Sequence, residues 1–465
     1  MFLGPLHGRE HSAVDGQRCR RDGILDDTVR PSWSPPAPDR PVGTDTLPEI
    51  RHIVVLMMEN HSYDNYLGML DRGDGLPRDQ AGRPTATNPT RRGRAVASHR
   101  LPSTAQYPQT PSQSWVASHE QWSEGRNDGF VRSAEDQGQP VGPGVAMGYW
   151  TEADLPFYYA LAQTFPLADR WFSSCLGPTF PNRRFLVSGT ANGLIDDSLS
   201  KTINRPANGT LFDLLDKHGI TWVNYHPVSH SRPVSRRLAG AHGLRAGRLV
   251  GGVAKPMKDR MRSDASNAKS RLEFTADCYP LGLLRYARHV RSVERFVADA
   301  AAGALPAVSL VDPDFHQYSE ENPQDIQLGE AFAARIINAV MSGPGWPGTV
   351  LIWVHDEHGG YYDHVPPPEA PEPDDRRPDD DGATRYDRYG FRVPAVIVAP
   401  CARADYVSHQ VHDHTSILKL IETKWNLPPL TRRDAQADNL LDSLDLVGPP
   451  AFAVPPVVAP PALSW

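Results

Sequence analysis

Two short, uninterrupted apolar runs constrain the fold of this chain more than any other feature. One follows His52 and continues to Met58, and the other spans residues 349–354. Neither alternates between apolar and polar residues, and both are too short for a typical buried helix. Strands buried on both faces have this pattern, and they occur mainly in parallel sheets that are covered by helices. The two runs therefore predict neighbouring core strands of such a sheet.

The rest of the chain alternates between predicted strands and predicted helices. Further strands are expected at 221–225, 307–311 and 393–399, and helices at 155–165, 210–218, 328–341 and 415–425, the last capped by Asp413 or Thr415. Such alternation favours an α/β fold, with a mostly parallel central sheet and helices on both faces.

Composition shifts divide the chain into three parts. Residues 1–48 are rich in Pro, Arg and Asp and are expected to form a flexible arm, while 446–465 form a Pro-rich tail. Between them, 49–445 are predicted to be one large domain. Two stretches within it lack any helix or strand period and are expected to be surface loops: 231–272, with eleven basic and two acidic residues, and 366–387, rich in Pro and Asp. The basic stretch would attract an anionic substrate or a lipid surface if it is more than a solvated loop.

Composition also excludes several classes of protein. No segment offers the roughly 20 apolar residues of a membrane-spanning helix. With 48 Lys+Arg against 55 Asp+Glu, the net charge of -7 argues against a dedicated nucleic-acid-binding protein. The four cysteines lie far apart along the chain, so a disulfide framework or a paired-cysteine zinc site is not expected. No export signal is visible, which favours a cytoplasmic location, with secretion left open if translation starts elsewhere.

Polar clusters follow both of the apolar runs. The first run leads into Glu59 and Asn60, and the second leads through His355 into Asp356, Glu357 and His358. Ligands bind beyond the carboxyl ends of strands in open α/β sheets. Carboxylate and amide oxygens are ligands for hard divalent cations, so these side chains are expected to converge on one metal site. The alternative is that each cluster only caps the turn or helix that follows it.

A third feature is the stretch that surrounds Thr179. Gly177 and Pro178 precede it and Pro181 follows, which predicts a tight backbone and equally suits the start of a capped helix. A hydroxyl held beside a metal can act as a nucleophile. Asn182 and Arg183 would offer donors to phosphate oxygens.

These motifs together resemble the bacterial phosphoesterase family of phospholipases C and acid phosphatases. The resemblance rests on Glu59-Asn-His-Ser-Tyr-Asp-Asn-Tyr-Leu-Gly68, Gly177-Pro-Thr-Phe-Pro-Asn-Arg183, Asp356-Glu-His-Gly-Gly-Tyr-Tyr-Asp-His-Val365, Tyr389-Gly-Phe-Arg-Val-Pro394 and Asp413-His-Thr-Ser-Ile-Leu-Lys-Leu-Ile-Glu422. It implies an alkaline-phosphatase-like fold and makes 49–445 the catalytic domain.

The resemblance also implies roles for individual residues. A divalent metal of unknown identity would be held by Glu59, Asn60, Asp356 and Glu357, and Thr179 would become phosphorylated. His358 and the more distant His119 are further catalytic candidates, His119 as the proton donor to the leaving oxygen or as a phosphate ligand.

The expected function is therefore hydrolysis of phosphoesters through a phosphothreonine intermediate. A phospholipase C acting on phosphodiesters is the first choice, and an acid phosphatase acting on monoesters is the alternative. A non-catalytic phosphate- or lipid-binding relative is a third possibility, and a sulfatase fits less well. The partner would be a phosphoester, with phospholipid as one option. The sequence leaves the oligomeric state open.

Overall fold

The structure, a computed structural model, describes residues 34–107, 111–136, 143–197, 205–227, 275–278, 286–380 and 384–463. The predicted basic loop at 231–272 lies outside these residues. The strands are β1 (His52–Met58), β2 (Thr87–Pro89), β3 (Ala95–Ala97), β4 (His99–Arg100), β5 (Gly148–Tyr149), β6 (Leu167–Ala168), β7 (Trp222–His226), β8 (Val290–Ser292), β9 (Val308–Val311), β10 (Thr349–His355), β11 (Ala395–Val398) and β12 (Val407–Ser408).

The helices are α1 (Tyr63–Leu67), α2 (Trp115–Trp122), α3 (Phe130–Asp136), α4 (Pro156–Thr164), α5 (Thr179–Ser188), α6 (Leu211–Lys217), α7 (Val293–Ala301), α8 (Ile326–Ser342), α9 (His414–Trp425) and α10 (Arg432–Gln436). Every predicted helix is present, with bounds that shift by one or two residues. The extra helix at α5 begins at Thr179, as the capped-helix interpretation of that stretch required.

An eight-stranded sheet forms the centre of the protein, in the order β12-β6-β11-β10-β1-β9-β7-β8. The pairs β10–β1, β1–β9, β9–β7, β7–β8 and β12–β6 are parallel, whereas β11 runs antiparallel to both of its neighbours. All residues of β10 and all but the first of β1 are buried, whichever face they point to. Since successive side chains point to opposite faces, both faces of these strands are covered. The prediction of a mostly parallel α/β sheet is confirmed.

Part of the predicted N-terminal arm contacts the end of α9. Within the described part of the chain, Gly43 and Thr46 donate backbone hydrogen bonds to Trp425 and Lys424. The side chain of Asn426 also bonds to backbone groups between Ala37 and Pro41. These contacts satisfy carbonyls that the end of a helix leaves exposed.

The C-terminal tail and the acidic loop also pack against the domain. Phe452 stacks against Phe165 with ring centroids 4.7 Å apart, and its carbonyl accepts a hydrogen bond from the indole of Trp346. The described residues of 366–387 contain no helix or strand, as predicted, and surface ion pairs such as Arg385–Glu372 hold them. No helix in the described ranges is both long and apolar enough to span a membrane.

Candidate active site

The two polar clusters meet at one edge of the sheet because β1 and β10 are adjacent and parallel. Their register pairs Met58 with His355, so the next residues along each strand, Glu59 and Asp356, lie side by side. The backbone N–H of Asn60 donates to Oδ1 of Asp356 over 3.2 Å. All of these side chains, and that of Glu357, are buried. The two clusters therefore lie at the same edge of the sheet, and their convergence on one metal ion stays a prediction.

The close approach of the two loops depends on a glycine. Asn60 has a left-handed backbone, with φ of 67°, and Gly359 opposite it has φ of 66°. A Cβ atom at Gly359 would lie 1.9 Å from the carbonyl oxygen of Asn60, which no side chain can accept. Glycine alone lets the two chains pass at this distance.

Asp356 is held firmly from four sides. Its Oδ1 accepts the N–H groups of Asn60 and Glu357, and its Oδ2 accepts the Nε–H of Arg183 over 2.9 Å. Its backbone carbonyl accepts a hydrogen bond of 2.7 Å from His414 Nε2. These contacts leave the carboxylate a single orientation at the strand end.

The guanidinium of Arg183 lies under this cluster rather than open to a ligand. Besides Asp356, its Nη1 donates to Oδ1 of Asp312 over 2.9 Å and to the Thr275 hydroxyl over 3.0 Å. Nη2 faces the carbonyls of Met57 and Met58. The donors that the sequence interpretation gave to a phosphate are engaged inside the protein. Arg183 therefore ties α5 to the ends of β1, β9 and β10.

Asn182 likewise bonds within its own loop. Its Oδ1 accepts the backbone N–H of Cys175, and its Nδ2 donates to the carbonyls of Gly177 and Pro178. The amide closes the turn that leads into Thr179. The structure thus gives Asn182 a positioning role in place of the expected phosphate contact.

Thr179 is the first residue of α5 and is fully buried. Among the described residues, no hydrogen-bond partner of its Oγ1 is found, although a buried hydroxyl normally has one. Arg183, which bonds to Asp356, lies four residues later, so the two side chains lie on the same face of the helix. A negative charge at Thr179 would also lie at a helix N-terminus, where the aligned peptide dipoles favour it.

His119 lies on α2, beside the loop that carries Thr179. Its Nδ1 donates to the carbonyl of Trp115 over 2.7 Å, and the two rings contact each other at a tilt, with centroids 4.7 Å apart. The Trp115 ring in turn packs against Gly177. Burial lowers the pKa of His119 below its ordinary value, while Asp380 and Asp387 act in the opposite direction. The ring is thus neutral near pH 7 and becomes protonated only in acid.

His358 is buried beside the cluster. Its Nε2 lies 2.7 Å from the Gln121 side-chain oxygen, and its Nδ1 lies 3.5 Å from Glu357 Oε2. Burial lowers its pKa to about 3. A ring that does not accept a proton at neutral pH is a poor proton donor, so the structure favours an orienting role for His358 beside Glu357.

Sequence reasoning assigned no role to His414 or Asp312, both of which support the site. Trp171 Nε1 donates to Nδ1 of His414, so Nε2 carries the proton that is donated to the Asp356 carbonyl. The Asp413-His-Thr-Ser motif was a signal for the first residue. Asp312 directly follows the buried strand β9, just as Glu59 follows β1 and Asp356 follows β10. Its position after a strand could therefore have identified Asp312 from the sequence.

Acidic side chains are concentrated at this strand edge. Four buried carboxylates belong to it, those of Glu59, Asp312, Asp356 and Glu357, and among the described residues Arg183 pairs with Asp312 and Asp356. These hard oxygens, together with the Thr179 hydroxyl, for which no hydrogen-bond partner is found in the described ranges, suit a divalent cation.

The neighbouring imidazoles carry no charge at physiological pH. Burial lowers the pKa of His61 and of His355 to about 3, as it does for His358. These rings therefore add no positive charge beside the carboxylates.

A buried hydroxyl at a helix start and a carboxylate-rich strand end in an α/β sheet are features of hydrolases. The chain belongs to the Phosphoesterase family, which matches residues 50–428. It is a hydrolase acting on phosphoester bonds.

Several relatives match over most of their length. Phospholipase C B of Mycobacterium tuberculosis is 30% identical, over 87% of this chain and 79% of its own. Hemolytic phospholipase C of Pseudomonas aeruginosa is 28% identical, over 90% of this chain and 58% of its own. Non-specific phospholipase C1 of Arabidopsis thaliana is 28% identical, over 83% of this chain and 69% of its own. Among solved structures, an alkaline phosphatase superfamily protein from Vibrio parahaemolyticus is 11% identical, over 91% of this chain and 76% of its own, with a TM-score of 0.38.

Proposed function

We propose that this protein is a phospholipase C that cleaves phosphodiesters through a phosphothreonine intermediate on Thr179. The observation that carries the proposal is the buried, unpartnered Thr179 hydroxyl at the start of α5, on the helix face that Arg183 joins to Asp356. Glu59, Asn60, Asp356 and Glu357 would hold a divalent metal beside it. When bound, such an ion screens the phosphate charge and lowers the pKa of the hydroxyl.

The residues of this chain divide the remaining work. Thr179 Oγ1 attacks phosphorus, the new Oγ1–P bond forms, and the bond to the lipid alcohol breaks. Asn182 and Arg183 keep Thr179 and Asp356 in place, which is the main contribution that a protein makes to phosphoryl transfer. The helix N-terminus stabilises the charge of the phosphothreonine, and water then releases the phosphorylated head group and restores Thr179.

His119 is proposed to protonate the leaving oxygen. Since its Nδ1 is bonded to Trp115, the proton would pass from Nε2. Its lowered pKa means that this acid is available mainly below pH 6.5. The names of the relatives favour a phospholipid substrate, and a monoester substrate is the outcome that the experiment must separate from it.

Two variants at Thr179 test the nucleophile. Thr179→Val keeps the branched shape and removes only the oxygen. Because that oxygen has no hydrogen-bond partner among the described residues, the free energy of unfolding should change by no more than about 0.5 kcal/mol, while turnover is lost. Thr179→Ser should retain part of the activity, since the attacking oxygen remains.

Turnover is measured with p-nitrophenylphosphorylcholine and p-nitrophenyl phosphate, with and without EDTA. Acid quench during turnover should trap a modified Thr179 peptide, detectable by mass spectrometry in the parent and absent in the valine variant. Parental turnover by Thr179→Val would disprove the assignment. A strong preference for p-nitrophenyl phosphate would make the enzyme a phosphatase instead.

A further inference from the structure

A second cluster of metal-binding residue types lies away from the proposed active site. His412, Asp438 and Asp442 each offer one ligand atom, and these atoms all lie within 4.8 Å of one another. The cluster joins the segment after β12 to the loop that follows α10. His412 is fully buried, whereas the side chains of Asp438 and Asp442 are 35% and 20% exposed, so ions from solvent can reach it.

The hydrogen bonds around His412 determine where its proton lies. The hydroxyl of Ser408 donates to Oδ2 of Asp442, because an ionised carboxylate can only accept. The same hydroxyl is 2.9 Å from Nε2 of His412 and must accept from it. Nε2 of a neutral ring therefore carries the proton, and Nδ1 presents a lone pair.

That lone pair points at another acceptor. Nδ1 of His412 is buried and has no hydrogen-bond partner among the described residues, yet it lies 3.4 Å from Oδ1 of Asp438. A protonated Nδ1 would draw the carboxylate to the 2.7–2.9 Å of a charge-assisted bond, roughly 0.5 Å closer than observed. Two acceptors that face each other repel unless a donor or a cation is shared between them, and a bound cation satisfies both.

No side chain in the described part of the protein supplies that cation. In the described ranges, neither Asp438 nor Asp442 forms an ion pair with a lysine or arginine. Arg403 is nearby, but its Nε donates to the backbone carbonyl of Asp442 rather than to the carboxylate.

A similar cluster elsewhere shows the contrast. Asp64, Asp363 and His364 also lie within ligand distance of one another. There, the buried guanidinium of Arg392 donates to Oδ1 of Asp363 over 2.9 Å and to Oδ1 of Asp64 over 3.1 Å. That cluster holds a cation from the chain, whereas the His412 cluster holds none that the structure describes.

We propose that His412, Asp438 and Asp442 bind a structural divalent transition-metal ion, such as Zn²⁺ or Mn²⁺. One imidazole nitrogen and two carboxylates suit these ions better than Ca²⁺ or Mg²⁺, which prefer oxygen alone. Oδ1 of Asp438 lies 3.4 Å from Nδ1 of His412, and Oδ1 of Asp442 lies 3.9 Å from Nε2, so the partly exposed carboxylate of Asp442 would have to turn toward Nδ1. The three ligand atoms would then approach the ion to the bond lengths of about 2.0–2.2 Å that zinc requires. Water would complete the coordination.

The ion would stabilise the segment that reaches the active site. Directly after His412, the Asp413 carboxylate accepts a hydrogen bond from the Ser174 hydroxyl, and His414 bonds the Asp356 carbonyl. Fixing His412 to the 438–442 loop therefore holds one of the supports of Asp356. This role is separate from the proposed chemistry at Thr179.

Zinc content tests the site directly. The parent, Asp438→Asn and Asp442→Asn are equilibrated with Zn²⁺, gel-filtered and analysed by mass spectrometry for metal. Both substitutions keep the shape of a partly exposed side chain, so the fold should persist. Each variant should hold one zinc equivalent fewer than the parent. Asp405→Asn is the matched control: it removes an exposed carboxylate from the same region, at a left-handed position that asparagine also adopts, and should bind as the parent does.

Two further measurements make the result independent of folding defects. Cobalt bound at this site should give visible absorption bands that both asparagine variants lack. At zinc concentrations 100 times the dissociation constant of this site, its ion should raise the folding equilibrium constant about 100-fold in the parent, and this increment should be absent from the variants. Equal zinc content and equal stabilisation in the parent and both variants would overturn the proposal.

Discussion

Replacing Arg183 distinguishes the role that the structure gives it from the phosphate contact that the sequence suggested. Arg183→Met keeps the length of the side chain and removes its charge. In the native protein the guanidinium is fully buried and pairs with Asp312 and Asp356, each over 2.9 Å. The substitution leaves two buried carboxylates facing an apolar group.

The expected cost follows from that burial. Removing one partner of a buried ion pair typically destabilises a protein by about 3–5 kcal/mol, because the remaining charge has no compensation. With side chains 0–1% exposed, little solvent screening reduces this figure. Arg183→Lys should cost less, since it keeps the charge, but one ammonium group cannot reproduce the separate bonds of Nε and Nη1.

The loss of stability in Arg183→Met and in Arg183→Lys is measured by urea unfolding of the metal-free enzyme in EDTA, with circular dichroism as the signal. EDTA matters because a bound divalent ion would partly replace the missing charge. Turnover of p-nitrophenyl phosphate is measured on the same samples with metal restored. If Arg183→Met loses less than about 1 kcal/mol of stability while its KM rises steeply, Arg183 contacts the substrate phosphate and the positioning argument is wrong.

Three further predictions concern the turn, the proton donor and the basic segment. Asn182→Asp places a carboxylate against the carbonyls of its own loop, so thermal unfolding should show a loss of about 1–3 kcal/mol together with a lower kcat; parental stability would contradict this. If His119 is the proton donor, kcat should fall as the pH rises through a pKa below 6.5. His119→Asn should abolish this fall in the pH profile of kcat. A profile that the substitution leaves unchanged would assign the fall to another group. If 231–272 binds anionic lipid, added salt should lower activity on anionic vesicles and leave activity on soluble substrates unchanged. The reason is that about 0.1 M salt screens exposed charges more than ~10 Å apart. Equal salt responses of the two activities would count against lipid binding.

Local sequence patterns were enough to predict the core strands and the position of the catalytic clusters. Burial on both faces removes polar residues from a strand, and this leaves a readable signature in β1 and β10. Ligand sites follow the carboxyl ends of parallel strands, so the polar residues after each run could be assigned to one edge. The short edge strands β6 and β12 carry no such signature, because two residues are too few to establish a period.

The sequence by itself thus determined the α/β class and the two strand ends that lie side by side. Tertiary structure alone decided that β11 runs antiparallel, that residues 37–46 dock on α9 and that Arg183 faces inward to Asp312 and Asp356. It also decided which nitrogen of His412 carries the proton. The physical reason is the same in each case. Apolar periodicity records whether a residue is buried, whereas the partner of a polar group depends on which distant segment packs beside it.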